Sequence, residues 1–251
     1  MDPHKELDKA YHAKIASIYD YITNEPRAYP NELLFRPIDK HVPNVQTLVD
    51  LGCGTGQMFL RYKDRAEKII AVDHSGAMLA EAKRKAAQQG LQNVTFIQRD
   101  LDDFLATNTA LRADLVTCVG VLHHLEQEGL STFLNAVFGI VKPRGYLLVA
   151  EPIYSNSVPS LVHERNSRSI LVDRLKECIP PDTQDPDEEP LRESSLLTAI
   201  AGAGFKIVRK TKGFELFHVT EPISQYEKLI IQWIYWRYRD RGDVVALLLG
   251  K

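Results

Sequence analysis

The chain has 251 residues, 44% apolar and 25% charged, with 31 basic side chains against 33 acidic ones for a net charge of -2. That suffices to bury one α/β core, while the balanced charge supplies no global field to gather nucleic acid and disfavours nucleic-acid substrates. Cys53, Cys118 and Cys178 form no C-x-x-C pair, which argues against a disulfide framework or structural zinc and fits a reducing cytoplasm; no run approaches the ~18 apolar residues of a spanning helix, and Met1 to Glu6 lacks the apolar stretch of a secretory leader.

In chain order, Tyr11, Ile15, Ile18, Tyr19 and Ile22 recur at three- and four-residue spacing and predict an amphipathic helix ahead of the first strand. Strands near 47–51, 68–73, 94–99, 114–120 and 146–151 then alternate with helices near 56–63, 76–89, 102–110 and 127–141. Ser75 supplies an N-cap for the second of those helices and Gly90 its stop. Short βα links of this kind make parallel strands with helices on both faces, and ligands of such sheets bind beyond the strand carboxyl ends.

After Pro152 the pattern loosens. It predicts a helix around Val162 to Cys178, an acidic proline-rich surface loop over 180–190, a helix over Leu191 to Ala203 and a sixth strand over Phe205 to Lys210. Between Gly213 and Asp243 lies an excursion whose core, Tyr226 to Arg241, sets aromatic and apolar side chains beside Arg237, Arg239 and Arg241. Such a helix could pack as core, roof a substrate pocket, join two copies into a homodimer through 221–241, or rest on a membrane surface. The expected organisation is one domain: an N-terminal helical cap (1–45), a ligand-binding core (46–152), insertions at 153–204 and 213–243 that cap the substrate, and a last strand from 244 onward.

The most informative stretch is Leu48 to Gln57. Leu48, Val49 and Leu51 read as a buried strand, and Gly52, Gly54 and Gly56 let the backbone approach a ligand without a Cβ in the way. The pattern is G-x-G-x-G, with Gln57 where a dinucleotide loop wants its third glycine. Asp50, at the strand end, has two readings: part of a polar network around a ligand's ammonium group, or a cap for the loop's backbone amides. Asp73 ends the second apolar run, close to the ~20-residue interval that brings a carboxylate onto a ribose diol. Asp100 ends the third run, where a carboxylate could accept from an adenine amino group. Spacing alone therefore points to a nucleoside-like ligand.

Taken in order, Asp50 to Gln57, Asp73 to Leu79, Arg99 to Leu101, Asp114 to Leu125 and Lys142 to Leu148 resemble the motifs of the Rossmann-like (class I) S-adenosylmethionine-dependent methyltransferases of small-molecule type. The resemblance implies a three-layer α/β sandwich with a seven-stranded, mostly parallel sheet, whose antiparallel last strand falls at Val244 to Leu249. It implies S-adenosyl-L-methionine as cofactor, released as S-adenosyl-L-homocysteine. Gly52, Gly54 and Gly56 would line the methionine moiety, Asp73 would hold the ribose, and Asp100 with Leu101 would flank the adenine. Tyr19, Asp50, Cys53, Gln57, His74, Met78 and Val119 complete the expected cofactor set.

Methyl transfer is mainly a problem of alignment, but a hydroxyl nucleophile must also lose its proton, a task suited to an imidazole. His123 and His124 follow the fourth strand on the expected edge and are the candidate bases, with His218 and Glu151 behind them; alternatively one of the pair packs beneath the loop. The fourth strand lacks the Asn/Asp-Pro-Pro-aromatic tetrad of amino-nucleobase methylation, and no metal site is expected. The leading expectation is methylation of O, N or C of a small metabolite. The alternatives are a non-catalytic or atypical S-adenosylmethionine-binding protein and, less favoured, a nicotinamide-dependent oxidoreductase.

Overall fold

The apolar runs build one sheet from β1 (Val45–Leu51), β2 (Ala66–Asp73), β3 (Val94–Gln98), β4 (Ala113–Val119), β5 (Val141–Pro152), β6 (Lys206–Gly213) and β7 (Val244–Gly250), in spatial order β3-β2-β1-β4-β5-β7-β6. A computed structural model describes residues 3–125, 127–155, 158–179, 189–219, 222–238 and 241–251. β1 runs parallel to β2 and β4, and β7 lies antiparallel between β5 and β6, the expected arrangement. Chain order reverses between β1 and β4, and that switch point opens the crevice in which sheets of this kind bind ligands.

Period-two alternation sorts the strands into two cores. Val49, Leu51, Val116 and Val149 face one side, against α5 (Leu101–Thr107), α6 (Gln127–Ile140) and α9 (Glu193–Gly202). Leu48, Ile69, Leu115 and Leu148 face the other, against α2 (Ala28–Asp39), α3 (Gln57–Arg61) and α4 (Gly76–Gln88). Among the described residues no helix is long and apolar enough to cross a membrane.

Several elements depart from the sequence expectation. The leading helix divides into α1 (Pro3–Ile15), a π-turn over Asp20–Asn24, and α2. Pro26 has no N–H to continue a helical ladder, and the side chain of Asp20, at the start of the π-turn, is held by Thr55 and Lys85. The expected 56–63 helix ends at Arg61, and β5 starts at Val141, ahead of the predicted 146. The helix predicted over 162–178 is two, α7 (Ser160–Asn166) and α8 (Ile170–Cys178), because Ser169 is extended and Ile170 N–H donates to the His218 carbonyl. The excursion's helix, α10 (Gln225–Arg237), stops short of Arg241. α9 does not join a cap: Leu196, Ala199 and Ile200 are buried in the sheet's core. Of the acidic proline-rich loop, 180–188 lies outside the described residues, as does Arg239.

Candidate active site

The glycine loop leaves β1 with three left-handed residues, and their surroundings differ. A Cβ on Gly56, at φ 96°, would lie 2.5 Å from the Phe59 ring, so this glycine turns the chain into α3. Gly54, at φ 51°, has nothing within 4 Å of where a Cβ would stand, which leaves an open cradle at the loop. Gly56→Ala is therefore expected to destabilise the fold, by about 1–3 kcal/mol from strain and overpacking, whereas Gly54→Ala should cost less stability and more ligand affinity. Thermal melts with and without S-adenosylhomocysteine check this; equal behaviour of the two variants would contradict it.

Acidic residues hold the loop in place. Asp50 is buried beneath it, its carboxylate accepting from Thr117 Oγ1 at 2.7 Å and Phe59 N–H at 3.0 Å. Burial pushes its pKa up to about 7 against those two bonds. Asp73 accepts from Gly54 N–H and Ser75 N–H, both at 2.8 Å, coupling the end of β2 to the cradle. Those two bonds leave part of the carboxylate's four lone-pair sites for a ligand's hydroxyls. Asp100 caps α5 by accepting from Asp102 N–H at 2.9 Å.

A second brace was not foreseen from sequence. Asp20 in the π-turn accepts from Thr55 Oγ1 and Lys85 Nζ, both at 2.6 Å, and ties the N-terminal segment to the loop and to α4. Burial opposes the charge of Asp20, but the bonds from Lys85 and Thr55 outweigh it and hold the carboxyl below its ordinary range.

Beyond the loop, Glu151 near the end of β5 is 1% exposed. Its Oε1 accepts from Val121 and Leu122 N–H at 3.0 and 2.9 Å, and its Oε2 lies 2.7 Å from His123 Nδ1. A carboxylate already serving as acceptor to two amides requires Nδ1 to carry the proton, which fixes the neutral ring in the tautomer whose Nε2 is the basic atom. The His124 ring lies 4.2 Å from that of His123, centroid to centroid. Asp8 of α1 reaches the same place: its carboxylate pairs with His12 at 2.8 Å and lies 3.7 Å from His124 and 3.8 Å from His74. Burial works against that charge, but the neighbouring histidines, His12 foremost, hold the Asp8 carboxyl below its usual value.

These groups share one cavity of about 1070 Å³. Tyr19, Asp50, Gly52, Cys53, Gly54 and Gln57 line it, as do Asp73, His74, Met78, Asp100, Leu101 and Val119, together with His123 and His124. Gly56 stands behind the wall, and His218 lies away from it, engaged with the backbone of Pro26 and Tyr29. The same lining includes the apolar side chains of Leu34, Phe35, Phe214 and Leu216, with Arg27 and Asn31 among its polar members. Arg27 pairs with Glu215 and lies over the Phe217 ring. Among the described residues no cluster of His, Cys, Asp or Glu is arranged to hold a metal.

Residues 48–145 match the model of a family described as a methyltransferase domain. The carboxy-S-adenosyl-L-methionine synthase of Wolinella succinogenes is 27% identical over 161 residues, 60% of this chain and 65% of that protein. The ubiquinone biosynthesis O-methyltransferase of Acinetobacter baumannii is 28% identical over 100 residues, 40% of this chain and 41% of that protein. The chain thus spans about two fifths to two thirds of the length of these curated relatives. Among solved structures, the DhpI-SAM-HEP complex has the same fold, with a TM-score of 0.63 and 18% identity, covering 100% of this chain and 99% of that one.

Proposed function

We propose that the chain is a methyltransferase of the Rossmann-like, S-adenosylmethionine-dependent class that transfers a methyl group to an oxygen, nitrogen or carbon of a small metabolite with an apolar or aromatic body, a reading supported by the match of residues 48–145 to the methyltransferase-domain family. One observation carries this reading: a single cavity is lined by the open glycine cradle, the His123–Glu151 pair and the apolar side chains of Leu34, Phe35, Phe214 and Leu216.

The residues present fit the cofactor. Gly52, Gly54 and Asp73 would hold its amino-acid and ribose parts, and Asp100 with Leu101 its adenine. When bound, S-adenosylmethionine supplies a methyl group on a sulfonium centre. The protein's part begins with alignment, which can be worth ~7–11 kcal/mol. α1 places Asp8, His12 and Ile15 in the cavity wall and so shields the reacting groups from water. His123 takes the acceptor's proton at Nε2, and Glu151 holds Nδ1–H and balances the imidazolium charge that forms. Leu34, Phe35, Phe214 and Leu216 receive the body of the acceptor, and Arg27 with Asn31 set its orientation. The three cysteines are free thiols, which accords with the cytoplasm as the compartment.

Incubating the purified chain with methyl-labelled S-adenosylmethionine and fractionated small-metabolite extract tests the proposal. Labelled product and S-adenosylhomocysteine should appear together, in equal amounts. Retention of the donor with no acceptor-dependent turnover in any fraction would overturn it in favour of a binding protein.

A further inference from the structure

α10 presents to solvent a stripe that the fold does not use. Ile231 and Ile234 bury one side of the helix against Val162, Phe214 and Leu216. On the opposite side Tyr226, Leu229, Trp233 and Trp236 are 75, 63, 46 and 69% exposed. At 3.6 residues per turn these four fall within an arc of about 80° and extend ~15 Å along the axis. Together they expose apolar surface on the order of several hundred Å², the size at which a patch marks an interaction site rather than scatter.

The chemistry of the border selects the occupant. Arg237 is exposed beside the stripe, Lys228 lies half-buried one step further round the helix with its ammonium over the Tyr29 ring, and Arg241 is exposed just beyond the helix. The helix's one acid, Glu227, is buried and paired with Arg165 at 2.6 Å, so it does not offset them. A second copy seated on this face would bring the same cations against the same stripe, a like-charge arrangement. Tryptophan and tyrosine beside cations instead match the headgroup layer of an anionic bilayer, where aromatic rings rest at the interface and each Lys or Arg adds attraction to acidic lipid.

We propose that the Tyr226–Leu229–Trp233–Trp236 face of α10 is a peripheral docking surface for membranes containing anionic phospholipid. Phe214 and Leu216, which pack under α10, also line the cavity, so the docked face and the cavity share one structural support. The inference stands on this surface alone and does not need the methyl-transfer reading.

The test uses a coincidence of the sequence: Trp233 and Trp236 are the chain's 2 tryptophans, so intrinsic emission reports on this face. The full chain is mixed with phosphatidylcholine vesicles with or without about 30% phosphatidylserine and scored by flotation and tryptophan emission. The expected result is flotation and a blue shift with the anionic vesicles, reduced by high salt and at least about tenfold weaker in Lys228→Glu/Arg237→Glu. Leu229→Ser, which keeps both reporters, should also bind less. No flotation, or flotation undiminished in both variants, overturns the proposal. So does an emission already blue-shifted without lipid in a sedimenting dimer that Leu229→Ser disperses, since the occupant would then be a second copy. Melting curves of the variants matching the parent guard against reading a folding defect as a docking defect.

Discussion

His123→Ala should lower kcat by about 100- to 10,000-fold while leaving S-adenosylhomocysteine affinity within about twofold of the parent. The split follows from position: the imidazole lies in the cavity wall on the β4 side, held by Glu151. Glu151→Gln tests the same arrangement from beneath. An amide nitrogen facing Nδ1 would donate rather than accept, forcing the proton onto Nε2 and removing the base without emptying the site, at a cost of about 100-fold or more. The two variants should share one change in pH profile, loss of the limb due to deprotonation of the base. His124→Ala, whose ring faces Asp8 and His12, should lose less. Unaltered turnover in His123→Ala and Glu151→Gln would reduce the pair to a packing role.

Asp73→Ala should weaken S-adenosylmethionine binding by ~1.5–3 kcal/mol, roughly 10- to 150-fold, through the loss of a charged acceptor for ribose hydroxyls. The structure adds a second cost, because the same carboxylate receives the Gly54 and Ser75 amides, and its removal frees the cradle as well. Asp73→Asn, which keeps one acceptor oxygen, should fall between parent and Ala. Calorimetry checks both; affinity unchanged in Asp73→Ala would remove the residue from the cofactor site.

Much of this site was legible in the chain because it depends on local pattern. β1, β2 and β4 announce themselves as apolar runs, and the carboxyl ends of parallel strands must share one edge, so Asp50, Asp73, Asp100 and His123 converge once the strands are placed. What periodicity does not encode is which distant partner a polar side chain takes. Glu151 was a candidate by position, but its bond to His123 is set by the packing of β5 beside β4. The docking of the π-turn rests on Asp20 reaching Thr55 and Lys85, contacts made across the fold. Asp8 and His12 stand four residues apart, a spacing readable in sequence, but their meeting with His74 and His124 exists only once α1 docks. The face of α10 shows the same limit: its composition admitted core, lid, dimer or membrane, and burial of Ile231 and Ile234 identifies the side left to solvent.

The most direct test of the account is a calorimetric titration of the purified, folded chain with S-adenosylhomocysteine, run beside reduced nicotinamide dinucleotide. Saturable one-to-one binding of the adenosyl compound, with no heat from the dinucleotide, is the predicted result. A well-folded chain that binds the dinucleotide and not S-adenosylhomocysteine would contradict it.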